Sequence, residues 1–273
     1  MKRDYKLELN KQKEILESQG YKVAYICLYG SQNYGLELFT DEYQSDIDMK
    51  AVIVPTLGDL IHNSKPISTT IETEWGQCDL KDIRIFFDRG ILKANPVYVE
   101  TLYTEYYIID DLFKDEFNHI RDNAGQLVYC LQNQMIRAMY GMMMEKKKAL
   151  CHPYPTIKHK IDKFGADFKQ SHHIYRMLIM MNNYYSKKMD FKDCLVKFDK
   201  VQFKLLNDMK MSEVVLEDII LLVNEWMEEA KELKEFVISN IDESKIDYTI
   251  KNKMLDLSRK IIKSKITEEI KNG

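Results

Sequence analysis

The sequence predicts an α+β fold, with a small mixed β-sheet near the start of the chain and a mostly helical region after it. Four short segments rich in β-branched and aromatic residues lie before residue 84, a composition typical of strands. Beyond about residue 110, apolar residues recur at helical spacing along segments rich in Met and Lys. Glycine and proline number only 10 and 5 in 273 residues, which favours helices over turns.

Local sequence signals predict the order of the elements. An amphipathic helix over residues 4–19 is expected to end at Gly20. Strands are expected over residues 21–29, 46–54, 67–74 and 78–83, with a hairpin turn at 75–77. Helices are expected over residues 97–103, 127–149, 170–187, 203–209, 214–239 and 246–270. We therefore predict two domains, residues 1–110 with the sheet and residues 111–273 with the helices.

Composition and charge exclude several classes of protein. A formal net charge of −3 does not indicate a nucleic-acid-binding protein by bulk charge, although a local basic groove is compatible with it. The five cysteines are scattered and never form a Cys-x-x-Cys pair, which argues against a disulfide framework or a structural zinc site. No signal-peptide pattern or membrane-length apolar run occurs, so we expect a cytoplasmic protein without a membrane partner. Nothing in the sequence indicates an oligomeric state.

A glycine–serine turn, Gly30-Ser31, follows the first predicted strand. Because glycine has no side chain, backbone amides there can approach a ligand closely, and a serine hydroxyl adds a donor. Asp46 and Asp48 lie two residues apart at the start of the second predicted strand, so both carboxylates are expected on one side. Adjacent carboxylates repel each other unless a cation lies between them, and Mg²⁺ binds through such carboxylates and substrate phosphates. Together these features predict a site for a metal-bound nucleotide.

A third acid on a neighbouring strand would complete a two-metal arrangement, in which one ion activates the attacking hydroxyl and the other supports the leaving pyrophosphate. Asp79, on the fourth predicted strand, is the favoured candidate. The alternatives are Glu72, Glu74 and Asp82.

In this order, the residues resemble the nucleotidyltransferase superfamily that includes DNA polymerase beta. The motifs are Gly30-Ser31-x-x-Tyr34-Gly35, Ser45-Asp46-x-Asp48-x-Lys50, Asp79-x-x-Asp82-Ile83-Arg84, Lys93-x-Asn95-Pro96-x-x-x-Glu100 and Gly165-x-Asp167-x-Lys169-x-x-x-His173-x-x-Arg176. Over residues 20–185 they are similar to the nucleotidyltransferases assigned to RNA repair pathways in bacteria and phages. Gly-Ser or Asp-x-Asp alone is a weak signal, whereas their order with a third acid is more specific.

The resemblance implies transfer of a nucleoside monophosphate from a nucleoside triphosphate to an acceptor hydroxyl. It suggests an RNA acceptor and Mg²⁺ or Mn²⁺ as the cofactor. It implies that Asp46, Asp48 and Asp79 are the catalytic metal ligands. It also implies nucleotide contacts by a second set of residues, namely Gly30, Ser31, Tyr34, Lys50, Arg84, Lys169, His173 and Arg176.

Structural roles are alternatives for several of these residues. Tyr34 either stacks on a base or ribose or packs beneath the loop. Arg84 either contacts phosphate or pairs with Asp88 four residues later. Asn95-Pro96 is interpreted as a helix break and cap. The lysine-rich stretch over residues 146–163 is either a solvated face or a guide for a phosphate backbone.

Two other functions remain open from the sequence. One is AMP transfer to a protein or a small molecule, for which the same three aspartates would serve. The other is a non-catalytic nucleotide-binding or antitoxin-type module. Three carboxylates held together favour an enzyme over such a module, because carboxylates that share a site repel one another.

Overall fold

The computed structural model describes residues 3–40 and 43–272, and it confirms the predicted α+β class. The chain divides into two compact units. The first contains Met1–Phe39, Gln44–Leu131 and Ile246–Gly273, and the second contains Thr40–Tyr43 and Gln132–Lys245. The domain boundary predicted after residue 110 stays a prediction. The boundary between the two compact units falls after Leu131.

A mixed sheet lies in the first unit. Among the described residues its strands are β1 Lys22–Tyr29, β2 Ile47–Val54, β3 Ser68–Thr73, β4 Gly76–Asp82 and β5 Tyr107–Ile109. Their order across the sheet is β3-β4-β2-β1-β5, and β2 pairs with β4 in parallel while the other neighbours are antiparallel. All four predicted strands are confirmed, and β5 is an addition that the sequence did not predict.

Helices account for most of the remaining described chain. The first seven are α1 Tyr5–Ser18, α2 Ser31–Tyr34, α3 Leu57–Ile61, α4 Ile83–Ile85, α5 Pro96–Val99, α6 Lys114–Asp122 and α7 Ala124–Cys130. The second unit contains α8 Gln132–Leu150, α9 Lys158–Phe164, α10 Phe168–Met181, α11 Phe191–Val196, α12 Lys200–Met211 and α13 Leu216–Asn240. The last helix is α14 Thr249–Asn272. π-helical turns Phe86–Gly90 and Asn182–Ser186 and 3-10 turns Ile91–Lys93, Glu100–Leu102, Asp111–Phe113 and Glu243–Lys245 join them.

Three predicted helices change conformation within their length. The one expected over residues 97–103 is α5 followed by the 3-10 turn Glu100–Leu102. The helix expected over residues 127–149 is divided into α7 and α8 at Leu131, whose backbone has φ −105° and ψ 20°. The helix expected over residues 170–187 begins earlier, at Phe168, and changes to a π-helical turn at Asn182. By contrast, the Asn95 side chain caps α5 by accepting from Val97 N, with Pro96 in the first turn, as predicted.

One cluster of core residues of the first unit lies between the sheet and α1. Leu9 and Leu16 of α1 are fully buried and pack in one cluster with residues of β1, β2 and β4. Asp4 starts this helix, because its carboxylate accepts from the amides of Lys6 and Leu7. Burial of this apolar face is what holds the helix against the sheet.

The C-terminal helix belongs to the first unit. α14 contacts α6, α7 and β2, and Glu269 Oε2 accepts a hydrogen bond from Leu57 N at 2.7 Å. In the second unit α10 packs against α8, α12 and α13. The cysteines are all free thiols, and no helix in the described part of the chain is long and apolar enough to cross a membrane.

Close approach of β2 and β4 requires glycine at position 76. A Cβ there would lie 2.4 Å from the Ile47 carbonyl oxygen, which is far inside van der Waals contact. We expect Gly76→Ala to lower the free energy of unfolding by roughly 1–3 kcal/mol, as overpacking does. Chemical denaturation measures this loss. Gly125→Ala is the matched control, because nothing lies within 4 Å of its Cβ, and an unchanged Gly76→Ala protein would contradict the observed register.

Candidate functional site

The predicted glycine turn is present at the end of β1. Gly30 has φ 90° and ψ −148°, a conformation that residues with a side chain rarely adopt. A Cβ on Gly30 would lie 3.3 Å from Asp48 Oδ2, since Tyr29 and Asp48 are partners in the β1–β2 ladder. Glycine therefore lets the turn lie directly against the Asp48 carboxylate.

The aspartate pair lies at the start of β2 and lines an acidic pocket. Asp46 is exposed and Asp48 is half-buried, and both line a pocket of about 420 Å³. Glu72 and Glu74 add two further carboxylates, while Arg3 contributes one guanidinium. Gln32 of α2 donates a hydrogen bond to the Asp46 carbonyl, which ties the turn to the aspartates. Four acids against one cation make the pocket favourable for cations.

Arg3 is a pocket residue that sequence reasoning missed. Its guanidinium lies 4.7 Å from the Trp75 ring centroid and 5.5 Å from that of Phe39. It also donates to Ser45 O at 2.9 Å, immediately before the aspartate pair. Nothing in the local sequence around Arg3 indicates this role, because α1 and β1 separate it from the residues that it contacts.

Asp79, the favoured third acid, lies on the same sheet face but is engaged by lysines. Its Oδ2 lies 2.5 Å from Lys50 Nζ and its Oδ1 lies 2.7 Å from Lys81 Nζ. It is not among the residues that line the acidic pocket. Within residues 3–40 and 43–272, no three His, Cys, Asp or Glu side chains are arranged to hold a metal ion. The metal role of Asp79 thus stays a prediction.

The alternative residues for the third acid lie in different surroundings in the structure. Glu72 and Glu74 line the pocket with the aspartate pair. Asp82 is buried and accepts two hydrogen bonds from the Arg84 guanidinium, at 2.9 Å from Nε and 2.7 Å from Nη2. Arg84 therefore pairs with Asp82 rather than with Asp88, and this hydrogen bonding raises the pKa of the guanidinium.

Two other predicted nucleotide contacts are enclosed by protein. Lys50 has 1% of its side chain exposed, and its ammonium lies 4.7 Å from the ring centroids of both Tyr29 and Tyr98. It therefore faces Asp79 and these rings, and its role as a nucleotide contact stays a prediction. Tyr34 is 5% exposed, which favours the alternative in which it packs beneath the loop.

The remaining predicted contacts belong to α10 in the second unit. Lys169 is exposed, His173 is half-buried, and Arg176 is buried with Nη1 3.3 Å from Met180 Sδ. Their role as nucleotide contacts stays a prediction. In the basic stretch, Lys158 pairs with Asp162, and Lys160 lies 3.2 Å from Asp167. These pairs reduce the positive charge that the stretch offers to a phosphate backbone.

Comparisons with known proteins leave the family open. No protein-family model matches the sequence, and no curated protein is similar to it. A solved structure of a nucleotidyltransferase-like protein from Exiguobacterium sibiricum 255-15 is similar over 85% of this chain and 75% of its own. The identity is 10% and the TM-score is 0.31.

The two adjacent histidines of α10 have lowered pKa values. His172 is 6% exposed, and its Nδ1 lies 2.9 Å from the Leu206 carbonyl oxygen, to which it donates. Burial lowers the pKa of His172 to about 4, because the charged form would lose its hydration. Burial also lowers the pKa of His173 well below 6.5.

We expect His172 to make the fold acid-sensitive. Below the ordinary histidine pKa of 6.5, His172 in the unfolded chain takes up a proton, whereas in the folded chain it does so only near pH 4. The stability that this shift contributes is complete above pH 6.5 and is lost as the pH falls. The free energy of unfolding should therefore drop by about 2–3 kcal/mol more in wild type than in His172→Gln between pH 7.5 and 4.5.

Denaturant titrations at both pH values measure that difference. His159→Gln is the control, since this side chain lies exposed on α9. Equal acid sensitivity of wild type and His172→Gln would show that His172 is not held neutral.

Proposed function

We propose that this protein is a metal-dependent nucleotidyltransferase, which moves a nucleoside monophosphate from a nucleoside triphosphate to an acceptor hydroxyl. The observation that carries the proposal is the Gly30 turn lying against Asp48 at an acidic pocket that Asp46 also lines. Phosphate binding needs backbone amides that a ligand can approach closely, and cation binding needs carboxylates. The Gly30 turn provides the amides, and the start of β2 provides the carboxylates. The order of the motifs in the sequence supports the same reaction.

The donor set at the aspartate pair fits a hard divalent cation. Asp46 and Asp48 offer carboxylate oxygens in a pocket with excess negative charge, which favours Mg²⁺ or Mn²⁺ shared with substrate phosphates. Asp79, with both oxygens at lysine ammonium groups, does not fit as a ligand in this arrangement. Bound at the pair, the ion supplies positive charge that offsets the phosphates and acidifies the acceptor hydroxyl.

The residues around the turn then position the triphosphate. In this proposal the Gly30 amide and the Ser31 hydroxyl donate to phosphate oxygens, while Asp46 and Asp48 would hold the divalent cation that offsets the phosphate charge. The acceptor oxygen forms a bond to the α-phosphorus, and the bond from phosphorus to the bridging oxygen breaks. Pyrophosphate leaves with that electron pair. The hydroxyl proton passes to water, which reaches the exposed Asp46.

RNA is the acceptor that we propose, and this part rests on the sequence resemblance. Transfer of AMP to a protein or a small molecule would use the same turn and aspartate pair. A non-catalytic nucleotide-binding module would keep the pocket without turnover. The nature of the labelled product separates these three functions.

Removal of the aspartate pair should abolish transfer. We expect Asp46→Asn and Asp48→Asn each to reduce incorporation of label from α-labelled ribonucleoside triphosphates into RNA by at least about a hundredfold, because charge stabilisation at the α-phosphate is lost. The assay uses each of the four triphosphates with Mg²⁺ or Mn²⁺ and a total RNA pool.

Asp88→Asn is the matched control, because Asp88 is an exposed carboxylate on the π-helical turn Phe86–Gly90, outside the pocket. Label in protein instead of RNA would establish AMP transfer to a protein. Absence of turnover together with calorimetric binding of a triphosphate would identify a binding module. Absence of both would refute the proposed function.

A further inference from the structure

Lys50 occupies the position on the sheet that faces Asp79. It follows Asp48 by two residues on β2, so the two side chains leave the same face of the strand. In the parallel β2–β4 ladder Lys50 is the register partner of Asp79, and the ammonium lies 2.5 Å from Oδ2. The ammonium therefore lies beside the carboxylate on which a second metal ion of a two-metal site would depend.

The surroundings of Lys50 keep its charge in place. The side chain is 1% exposed, and the rings of Tyr29 and Tyr98 lie at equal centroid distances of 4.7 Å from the ammonium. Ring faces attract a cation, so both tyrosines stabilise the ammonium where it is. Because a buried charge without a partner of opposite charge is strongly destabilising, the ion pair keeps Lys50 and Asp79 together.

The second oxygen of Asp79 is also engaged. Lys81 Nζ lies 2.7 Å from Oδ1, and it donates as well to Ser68 Oγ at 2.8 Å. A divalent cation at either oxygen of Asp79 would therefore meet an ammonium group that is already there. At Asp46, which is exposed, and at Asp48, which lines the acidic pocket, a cation enters a region of excess negative charge.

We propose that Lys50 is a built-in cation that takes the place of a second metal ion, so that the pocket binds one divalent ion, at Asp46 and Asp48, while Asp79 stays paired with Lys50. This inference rests on the proposed function and specifies its metal stoichiometry. Lys50 is then a positioning residue, which acts through Asp79 and the charge of the site. It differs from the three-aspartate, two-metal site that the sequence predicts.

The test is a Mn²⁺ titration of the full chain, with free Mn²⁺ followed by electron paramagnetic resonance. We expect wild type to bind one Mn²⁺ per chain. Asp48→Asn should weaken that binding at least tenfold, while Asp79→Asn should leave it within about twofold, because only the former removes a ligand. Lys50→Met frees Asp79 Oδ2 and should add a second Mn²⁺, which Lys50→Met/Asp79→Asn should lose again.

The outcomes separate this inference from the proposed function. Two Mn²⁺ ions in wild type, with one lost in Asp79→Asn, would overturn the role of Lys50 and leave the nucleotidyltransferase intact. An equal loss of affinity in Asp79→Asn and Asp48→Asn would overturn it as well. No Mn²⁺ binding at all would overturn the metal dependence of the proposed function itself. If Lys50→Met does not fold, wild type and Asp79→Asn still decide the question.

Discussion

The parallel pairing of β2 with β4 determines which side chains meet in the first unit. Paired residues of neighbouring strands point to the same face, so the register sets Asp48 beside Gln77 and Lys50 beside Asp79. A slip of one residue would turn the Asp79 carboxylate to the opposite face of the sheet. Breaking a buried ion pair in this way costs roughly 3–5 kcal/mol, because one charge is left buried alone. Electrostatics and backbone pairing therefore select the same register.

The strands around the site could be predicted because they carry local signals. β1 and β2 are runs of apolar and β-branched residues, and a turn separates β3 from β4. β5 has three residues, too few to show a period, and its pairing with β1 is created by the fold. Likewise, the break at Leu131 inside an otherwise continuous apolar pattern has no glycine or proline to announce it.

The site was predictable only where its residues are near in sequence. The Gly30 turn and the Asp46–Asp48 pair follow from strand alternation and from the conformational freedom of glycine. Lys50 meets Asp79 because of the strand register, although the two residues lie 29 positions apart in sequence. Arg3 meets Trp75 through tertiary packing. Neither contact can be predicted from the spacing of residues in the sequence. A sequence shows which carboxylates a site contains, but only the fold shows which of them are already paired with a cationic side chain.

The place of α14 has a consequence for synthesis of the protein. This helix is translated after all of the second unit, yet it packs against β2, α6 and α7 of the first. A nascent chain that ends at Lys245 carries β1 to β5 but lacks the helix that supplies Glu269 to the Leu57 amide. The sequence of the inserted second unit is thus complete before α14 emerges from the ribosome, whereas the first unit has to wait for this helix.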